Sequence, residues 1–166
     1  MSIFILQILI YLVLFTVAIK IVAGNNPVGC VFFYPKPVQQ RVYDLGLTTP
    51  EIIRKRKTIF FTALLMGGLV LPVIFIGVWN GTTDFRTAYI QALLFLEIMN
   101  WYDGIVVDRI WVKYSKFWII KGTEDLPHVK SIKFVVIERV IMTLVYIPVA
   151  AVVAGIAVFL ARYWLC

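Results

Sequence analysis

The sequence has few of the residues that hold metals, haem groups or disulfide networks. Its 166 residues include two cysteines, Cys30 and Cys166, and one histidine, His128. A structural zinc site needs about four cysteine or histidine ligands and a bis-histidine haem needs two imidazoles, so we expect no metal site. The topology derived below places the two cysteines on opposite sides of a membrane, so we expect free thiols. The sequence identifies no cofactor.

Charged residues are also scarce, at 15% of the chain, whereas 61% is hydrophobic and the mean hydropathy is +0.91. Soluble domains are about 45–50% apolar and about 25% charged, so an ordinary soluble protein is excluded. A membrane-spanning helix needs roughly 20 apolar residues. Four such runs occur, at about residues 3–22, 58–79, 87–108 and 140–161. We predict an all-α fold, in which residues 1–166 form a single integral membrane domain, a bundle of four transmembrane helices.

Two long loops between the predicted spans carry most of the positive charge. Residues 24–57 contain six lysines and arginines and residues 109–139 contain seven, whereas the link after the second span and the C-terminal tail contain one each. Basic loops stay in the cytoplasm. We therefore predict a multi-pass protein of the cell membrane with both long loops in the cytoplasm and both termini outside. No nucleic-acid-binding module fits between the spans, so we expect no nucleic-acid partner.

The first long loop carries the signals of short cytoplasmic helices. Pro37 and Gly46 mark the start and the stop of one helix. Thr48 and Glu51 match a capping box, which makes Thr48 the N-cap of a helix that continues into the second span.

The start of the second long loop predicts a helix that lies in the headgroup plane. Over residues 109–120, Arg109, Lys113 and Lys116 share one helical face and aromatic residues spread over the other. Two interpretations are open: the helix is an interfacial anchor, or it forms one wall of a site that admits lipid or another amphiphile.

The third predicted span is the one with several polar residues. Glu97 lies near its midpoint, where inserting a carboxylate costs about 2.5–3.5 kcal/mol. At about 100° per residue, Glu97, Asn100 and Asp108 fall in one sector of the helix, and Asp103 points away from it. Either Glu97 is protonated and bonds a neighbouring helix with Asn100 as interhelical glue, or this stripe binds a proton, cation or amphiphile.

Further candidate residues follow in the turn at residues 121–128. Its Gly-Thr-Glu-Asp run predicts a tight turn in which Thr123 bonds the backbone just after it. Glu124, Asp125 and His128 either form a solvated turn or return to the membrane surface beside the aspartates of the third span. In the second case, two carboxylates and an imidazole could bind a divalent cation or exchange protons.

Two adjacent pairs of opposite charge lie at the predicted ends of spans. Asp108 and Arg109 are expected to form an ion pair at the end of the third span. Glu138 and Arg139, at the entrance of the fourth span, are expected to pair with the turn at residues 121–128 or with Asp108.

Two resemblances follow from these motifs. The Trp-Tyr-Asp-Gly of residues 101–104 and the Lys-Gly-Thr-Glu-Asp of residues 121–125 resemble small uncharacterised bacterial membrane proteins with a Gly-Thr-Glu motif after such a span. This similarity covers roughly residues 95–130 and implies no activity. The overall plan is also similar to the trimeric membrane-associated glutathione-binding enzymes. Those enzymes carry an Arg/Asn/Glu pattern in their second span, whereas residues 58–79 contain no charge.

The fourth predicted span bears on assembly. Its small residues recur at three- and four-residue spacing, which allows close helix packing within a chain or between chains. The stripe consists of Ala150, Ala154, Ala157 and Ala161. Since four helices of this length enclose little volume, we expect a deep site to require a homo-oligomer or a partner subunit.

Three functional classes follow. The first is a binding or transport component that uses the polar stripe of the third span to hold a cation, a proton or an amphiphilic ligand from the lipid bilayer. The second is a structural or accessory membrane subunit. The third is an enzyme that acts on a lipid-like substrate at the cytoplasmic interface. The sequence contains no nucleophile–base pair and no phosphate-binding loop; it favours the first class and leaves open whether the protein is an enzyme.

Overall fold

The computed structural model describes residues 3–164, which form four long helices joined by short helical segments. We call the long helices spans 1 to 4. Span 1 is Ile3–Ala23. Span 2 is an α-helix, Pro50–Val73, that ends in a π-helical turn, Ile74–Trp79. Span 3 consists of an α-helix, Phe85–Tyr102, a π-helical stretch, Asp103–Trp111, and a last α-helical turn, Val112–Tyr114. Span 4 is the α-helix Ile132–Trp164.

The predicted all-α fold is confirmed, because the described part of the chain is helical and contains no strand. All four spans are long and apolar enough to cross a membrane. Their outward-facing side chains are large and apolar, for example Val13, Leu65 and Leu144, each at least 60% exposed. Such a surface is stable in contact with lipid. The chain is therefore a multi-pass membrane protein.

Spans 2, 3 and 4 are longer than their apolar runs. Residues 50–57, 109–114 and 132–139 were assigned to the long loops, and all three are helical turns that continue the spans. For residues 50–57 this confirms the predicted helix that continues into the second span. Helix hydrogen bonding needs no apolar side chains, so charged turns extend each helix past its hydrophobic segment. The loops proper are accordingly shorter than predicted.

The start of span 2 also corrects one predicted cap. The side chain of Thr49, not Thr48, caps the helix by accepting the N–H of Ile52 at 3.4 Å, with Pro50 in the first helical turn. The predicted short helix before it is confirmed as Lys36–Asp44. The chain leaves it through Gly46, whose φ of +64° is a conformation that favours glycine.

The predicted headgroup-plane helix over residues 109–120 is wrong. Residues up to Tyr114 complete span 3, and extended backbone at Ser115 then breaks the helix. The Ser115 side chain caps a single 3-10 turn, Lys116–Trp118, by accepting the N–H of Phe117. Trp118 is only 2% exposed, so it packs inside the protein instead of lying at a membrane surface.

Spans 2 and 4 pack closely at Gly77. A Cβ atom added to Gly77 would lie 2.6 Å from the carbonyl oxygen of Ala157, so the two backbones are in contact there. The small-residue stripe of span 4 is buried within the chain at 0–1% exposure, which settles its role as an internal helix contact. This stripe is Ala150, Ala154, Ala157 and Ala161.

The cysteine predictions concern one residue inside and one outside the described segment. Cys30 is fully buried and is a free thiol. Burial raises the pKa of the Cys30 thiol to about 11, against a smaller lowering by the charge of Arg56. Cys166 lies outside the described residues.

Candidate functional site

A cavity of about 340 Å³ lies between spans 2 and 4, with span 3 behind it. Its volume falls within the range of small-molecule sites, roughly 300–1,000 Å³. One part of its lining is charged and another part is aromatic. The two flanking spans contribute Lys57, Phe60, Phe61 and Leu64 from span 2 and Glu138, Arg139, Met142 and Tyr146 from span 4. The cavity is formed by one chain.

Arg139 is the centre of the charged part. Its Nη1 donates to Asp103 Oδ2 at 2.8 Å and its Nη2 to Asp108 Oδ2 at 3.4 Å. Asn100, 2% exposed, donates from Nδ2 to the Arg139 carbonyl at 3.0 Å and thereby fixes span 4 against span 3. The stem of Arg139 lies over Gly104, where an added Cβ would be 3.0 Å from its Cγ and Cδ. Glycine at this position therefore makes room for the arginine.

A second ion pair adjoins the first. Lys130 Nζ donates to Glu138 Oε2 at 3.0 Å, and Arg139 Nη2 is 3.8 Å from the same carboxylate oxygen. The charged residues that line the cavity are balanced in sign. The acids are Asp103, Asp108 and Glu138, and the bases are Lys57, Lys130 and Arg139.

The placement of Asp103 corrects the prediction that it points away from Asp108. On an ideal α-helix two residues five apart diverge by about 140°. Residues 103–111 are instead π-helical, with hydrogen bonds that close over five residues, so Asp103 and Asp108 come to the same side of span 3. Both carboxylates consequently reach one arginine.

Aromatic side chains form the apolar part of the cavity. Phe33 and Phe60 meet edge to face with ring centroids 5.1 Å apart, and Phe32 packs on Phe60 at 5.9 Å. The Tyr34 hydroxyl donates to the Trp118 carbonyl at 2.7 Å, which joins the segment after span 1 to the segment after span 3. The cavity thus has a charged wall and an aromatic wall.

The turn at residues 121–128 only partly reaches the cavity. His128 lines it. Asp125 instead pairs with Arg41 at 3.4 Å on the surface, and the Glu124 carboxylate accepts the N–H of Gly122 within its own turn. Thr123 donates to the carbonyl of Ile120, which precedes it, so the predicted bond to the following backbone is wrong.

The remaining candidates lie elsewhere. Glu97 is absent from the lining; its Oε2 accepts from Thr143 at 2.8 Å, and its Oε1 is buried without a partner in the described segment. Arg109 donates to the Lys130 carbonyl at 3.3 Å, so the predicted Asp108–Arg109 ion pair is replaced by Asp108–Arg139. Lys113 contacts Tyr114. Of the predicted site residues, the structure brings together Asn100, Asp103, Asp108 and His128.

Arg139 was predicted to pair with Asp108 or with the turn at residues 121–128, and its pair with Asp108 confirms the first alternative. Its place at the centre of the charged lining was not predicted, although one signal was available: carboxylates within a span need a buried partner. Trp118 is the residue that the sequence prediction missed. Trp118 was assigned to the membrane interface, where tryptophan is common. No local pattern identifies it as a cavity residue.

Within residues 3–164, no three histidine, cysteine, aspartate or glutamate side chains are arranged to hold a metal ion. Comparison with protein-family models, curated proteins and solved structures gave no match. The class that the chain itself defines is a four-helix, multi-pass membrane protein with an internal cavity of mixed polarity.

Proposed function

We propose that the protein binds one amphiphilic molecule between spans 2 and 4, with its polar head in the cavity and its apolar tail along the same pair of helices. The observation that carries this proposal is the lining of the cavity, in which charged residues around Arg139 lie beside aromatic residues. A separate groove, lined only by apolar residues, lies farther along the same two spans.

The separate groove has a volume of about 280 Å³. It is lined only by apolar residues, namely Leu69, Val70, Val73, Val149, Val152, Val153 and Ile156. Lys57 and Val73 are 16 positions apart in span 2, so cavity and groove together follow about 24 Å of helix axis. The backbone contact between Gly77 and Ala157 closes the far end. A long apolar chain would bury its surface in such a groove.

The opening of the cavity also supports an amphiphile that comes from the bilayer. Phe61 lines the cavity and is 46% exposed on the outer surface of the bundle. Lys57 Nζ lies 5.9 Å from the Phe61 ring centroid, so a charge and an aromatic ring flank the same opening.

Filling the cavity is expected to release the bound molecule. Leu64 lines the cavity, and Leu64→Trp should reduce the amount of co-purifying amphiphile about tenfold, because forcing extra volume into an occupied site costs on the order of 1–3 kcal/mol. The measurement is native mass spectrometry of the full chain released from a mild detergent, followed by extraction and identification of the small molecule.

The matched control is Leu65→Trp. Leu65 is the next residue of span 2, is 60% exposed and lies outside the lining, so the same substitution there should leave the bound amphiphile unchanged. Equal retention by both variants and the unmodified protein would refute the proposed site, as would the absence of any bound amphiphile.

We also propose that the long loops face the cytoplasm, on the charge asymmetry of the loops. In a Cys166→Ser background, a cysteine at Thr83 should react with an impermeant maleimide in intact cells, and a cysteine at Pro127 should react only after permeabilisation. Cys30 adds little background, because the thiolate is the reactive form and burial raises its pKa to about 11. Reversed labelling would invert the orientation.

A structural or accessory role is the second candidate, and one network favours it. Gln7, which is fully buried, exchanges hydrogen bonds of 2.8 and 3.1 Å with Asn80, and Asn80 donates to Gln91 at 3.1 Å. Together with the Glu97–Thr143 bond, these contacts use polar groups only to join helices. This candidate takes first place if the Leu64→Trp experiment finds no ligand.

A further inference from the structure

The charges of the cavity lining are divided unevenly between its walls. Lys57, on span 2, is the one charged lining residue without an ion-pair partner among residues 3–164. The other five come from span 3, span 4 and the segment before span 4. They form one ion cluster, in which three carboxylates share two basic side chains. One wall therefore carries an unpaired positive charge, and the facing cluster has one carboxylate in excess.

The two uncompensated charges lie at about the same height in the bundle. Spans 2 and 4 run in the same direction, because Lys57 and Glu138 line the cavity and Gly77 and Ala157 meet farther along. Lys57 lies 20 positions before Gly77, and Glu138 lies 19 positions before Ala157. Both are thus about 30 Å of helix axis from that contact. One compact head group is therefore able to face both charges.

Lys57 is accessible to a ligand that comes from the bilayer. Its side chain is exposed, and its Nζ lies 5.9 Å from the ring centroid of Phe61 at the opening. It ends a run of four basic residues, 54–57, at the start of span 2, and Lys57 is the member of this run that lines the cavity. An anionic group that enters beside Phe61 consequently meets a basic surface first.

A head group complementary to this lining carries charges of both signs. An anionic group would pair with Lys57, and a cationic group would compensate the extra carboxylate of the ion cluster. A head with one sign only would leave the other charge unpaired, which is unfavourable away from bulk water. For the cationic group, an ammonium with N–H bonds suits the cluster, because each N–H donates to a carboxylate oxygen.

We propose that the head is a zwitterion, in which a phosphate pairs with Lys57 and a primary ammonium pairs with the carboxylates around Arg139. This inference rests on the proposed function and deepens it by naming the class of head group. Ethanolamine phospholipids have this chemistry, and their phosphate lies between the apolar tail and the ammonium. That order matches a site in which Lys57 flanks the opening and the cluster surrounds Arg139, whose side chain is 11% exposed.

The experiment compares three head groups on the full chain in phosphatidylcholine nanodiscs. The heads are phosphoethanolamine, phosphoglycerol and plain glycerol, which carry phosphate with ammonium, phosphate alone and neither charge. Each is tested on a one-chain oleoyl and a two-chain dioleoyl lipid, so the form that binds identifies the source of the head. Native mass spectrometry measures the dissociation constants for the unmodified chain and for each variant.

The first pair of variants tests the phosphate. Lys57→Gln should weaken binding of both phosphate heads about fivefold, the upper value for a partly exposed ion pair, and leave the plain glycerol lipid unchanged. The matched control is Lys55→Gln. Lys55 is an exposed base of the same run that lies outside the lining, so its replacement should change none of the three.

The second pair tests the ammonium. The unmodified chain should bind the ethanolamine head about tenfold more tightly than the phosphoglycerol head, the gain expected for one charged hydrogen bond. Glu138→Gln should abolish that preference and keep phosphoglycerol binding, which also shows that the variant is folded. Glu124→Gln, an exposed glutamate outside the lining, should preserve the tenfold ratio.

Three results would overturn the inference. Lys57→Gln might leave both phosphate heads unaffected, it might weaken the plain glycerol lipid equally, or phosphoglycerol might bind the unmodified chain as tightly as phosphoethanolamine. If Leu64→Trp still displaces an amphiphile in these cases, the proposed function stands and only the head-group assignment fails. If nothing binds the unmodified chain, both fail.

Discussion

Arg139→Gln is expected to lower the free energy of unfolding by about 3–5 kcal/mol, because it removes one partner of a buried ion cluster. The arginine side chain is 11% exposed and pairs with Asp103 and Asp108, which are 26% and 27% exposed. Without it, both carboxylates of span 3 lie inside the bundle without their compensating charge. Unfolding by sodium dodecyl sulfate in mixed micelles, followed by circular dichroism, measures the change.

An exposed ion pair of the same chain provides the control. Arg41 and Asp125 are 3.4 Å apart with side chains 42% and 62% exposed, so Arg41→Gln should cost less than about 1 kcal/mol. A second control is the triple variant Asp103→Asn, Asp108→Asn and Arg139→Gln. It removes all three charges together and should recover much of the lost stability. Similar losses for Arg139→Gln and Arg41→Gln would contradict the assignment of Arg139 as the buried centre.

Gly77→Ala and Gly67→Ala are expected to change stability in opposite directions. At Gly77 the added methyl group would meet the backbone of Ala157 at 2.6 Å, and backbone cannot retract as a flexible side chain can. Overpacking of this kind costs roughly 1–3 kcal/mol. Gly67 has no atom within 4 Å of the added Cβ, so alanine should stabilise its helix by up to about 1 kcal/mol.

The same unfolding assay tests this pair of variants, with a second measurement to locate the effect. A cysteine pair placed across spans 2 and 4 near the cavity should change its cross-linking rate in Gly77→Ala and keep it in Gly67→Ala. Destabilisation of equal size in both variants would show that glycine content, and not the contact with span 4, determines the stability of span 2.

The sequence predicted the spans well because hydrophobic length is a local property. It also predicted the helix at Lys36–Asp44, since proline and glycine mark its limits. It could not place Asp103 beside Asp108, because the angle of 100° per residue holds only for an α-helix and the π-helical stretch from Asp103 to Trp111 changes it. Which stretch of a helix becomes π-helical depends on the neighbouring spans.

The sequence predicted only part of the candidate site, because local patterns do not show which helices pack together. Asn100 and Asp108 belong to it, as the polar stripe of span 3 predicted. Glu97 was chosen for its depth in the membrane, and its role in binding stays a prediction, since its described partner is Thr143 of span 4. The aromatic wall comes from three separate segments, namely the one after span 1, span 2 and the one after span 3, which meet only through tertiary packing.

The opening beside Phe61 has a consequence for how binding must be quantified. Phe61 is 46% exposed, so an amphiphile of the proposed kind that entered beside it would diffuse in two dimensions within the bilayer and never pass through bulk water. Occupancy then follows the mole fraction of the guest among the surrounding lipids. Enlarging the nanodisc at a fixed amount of guest should therefore empty the protein, even though the total concentration in the tube is unchanged.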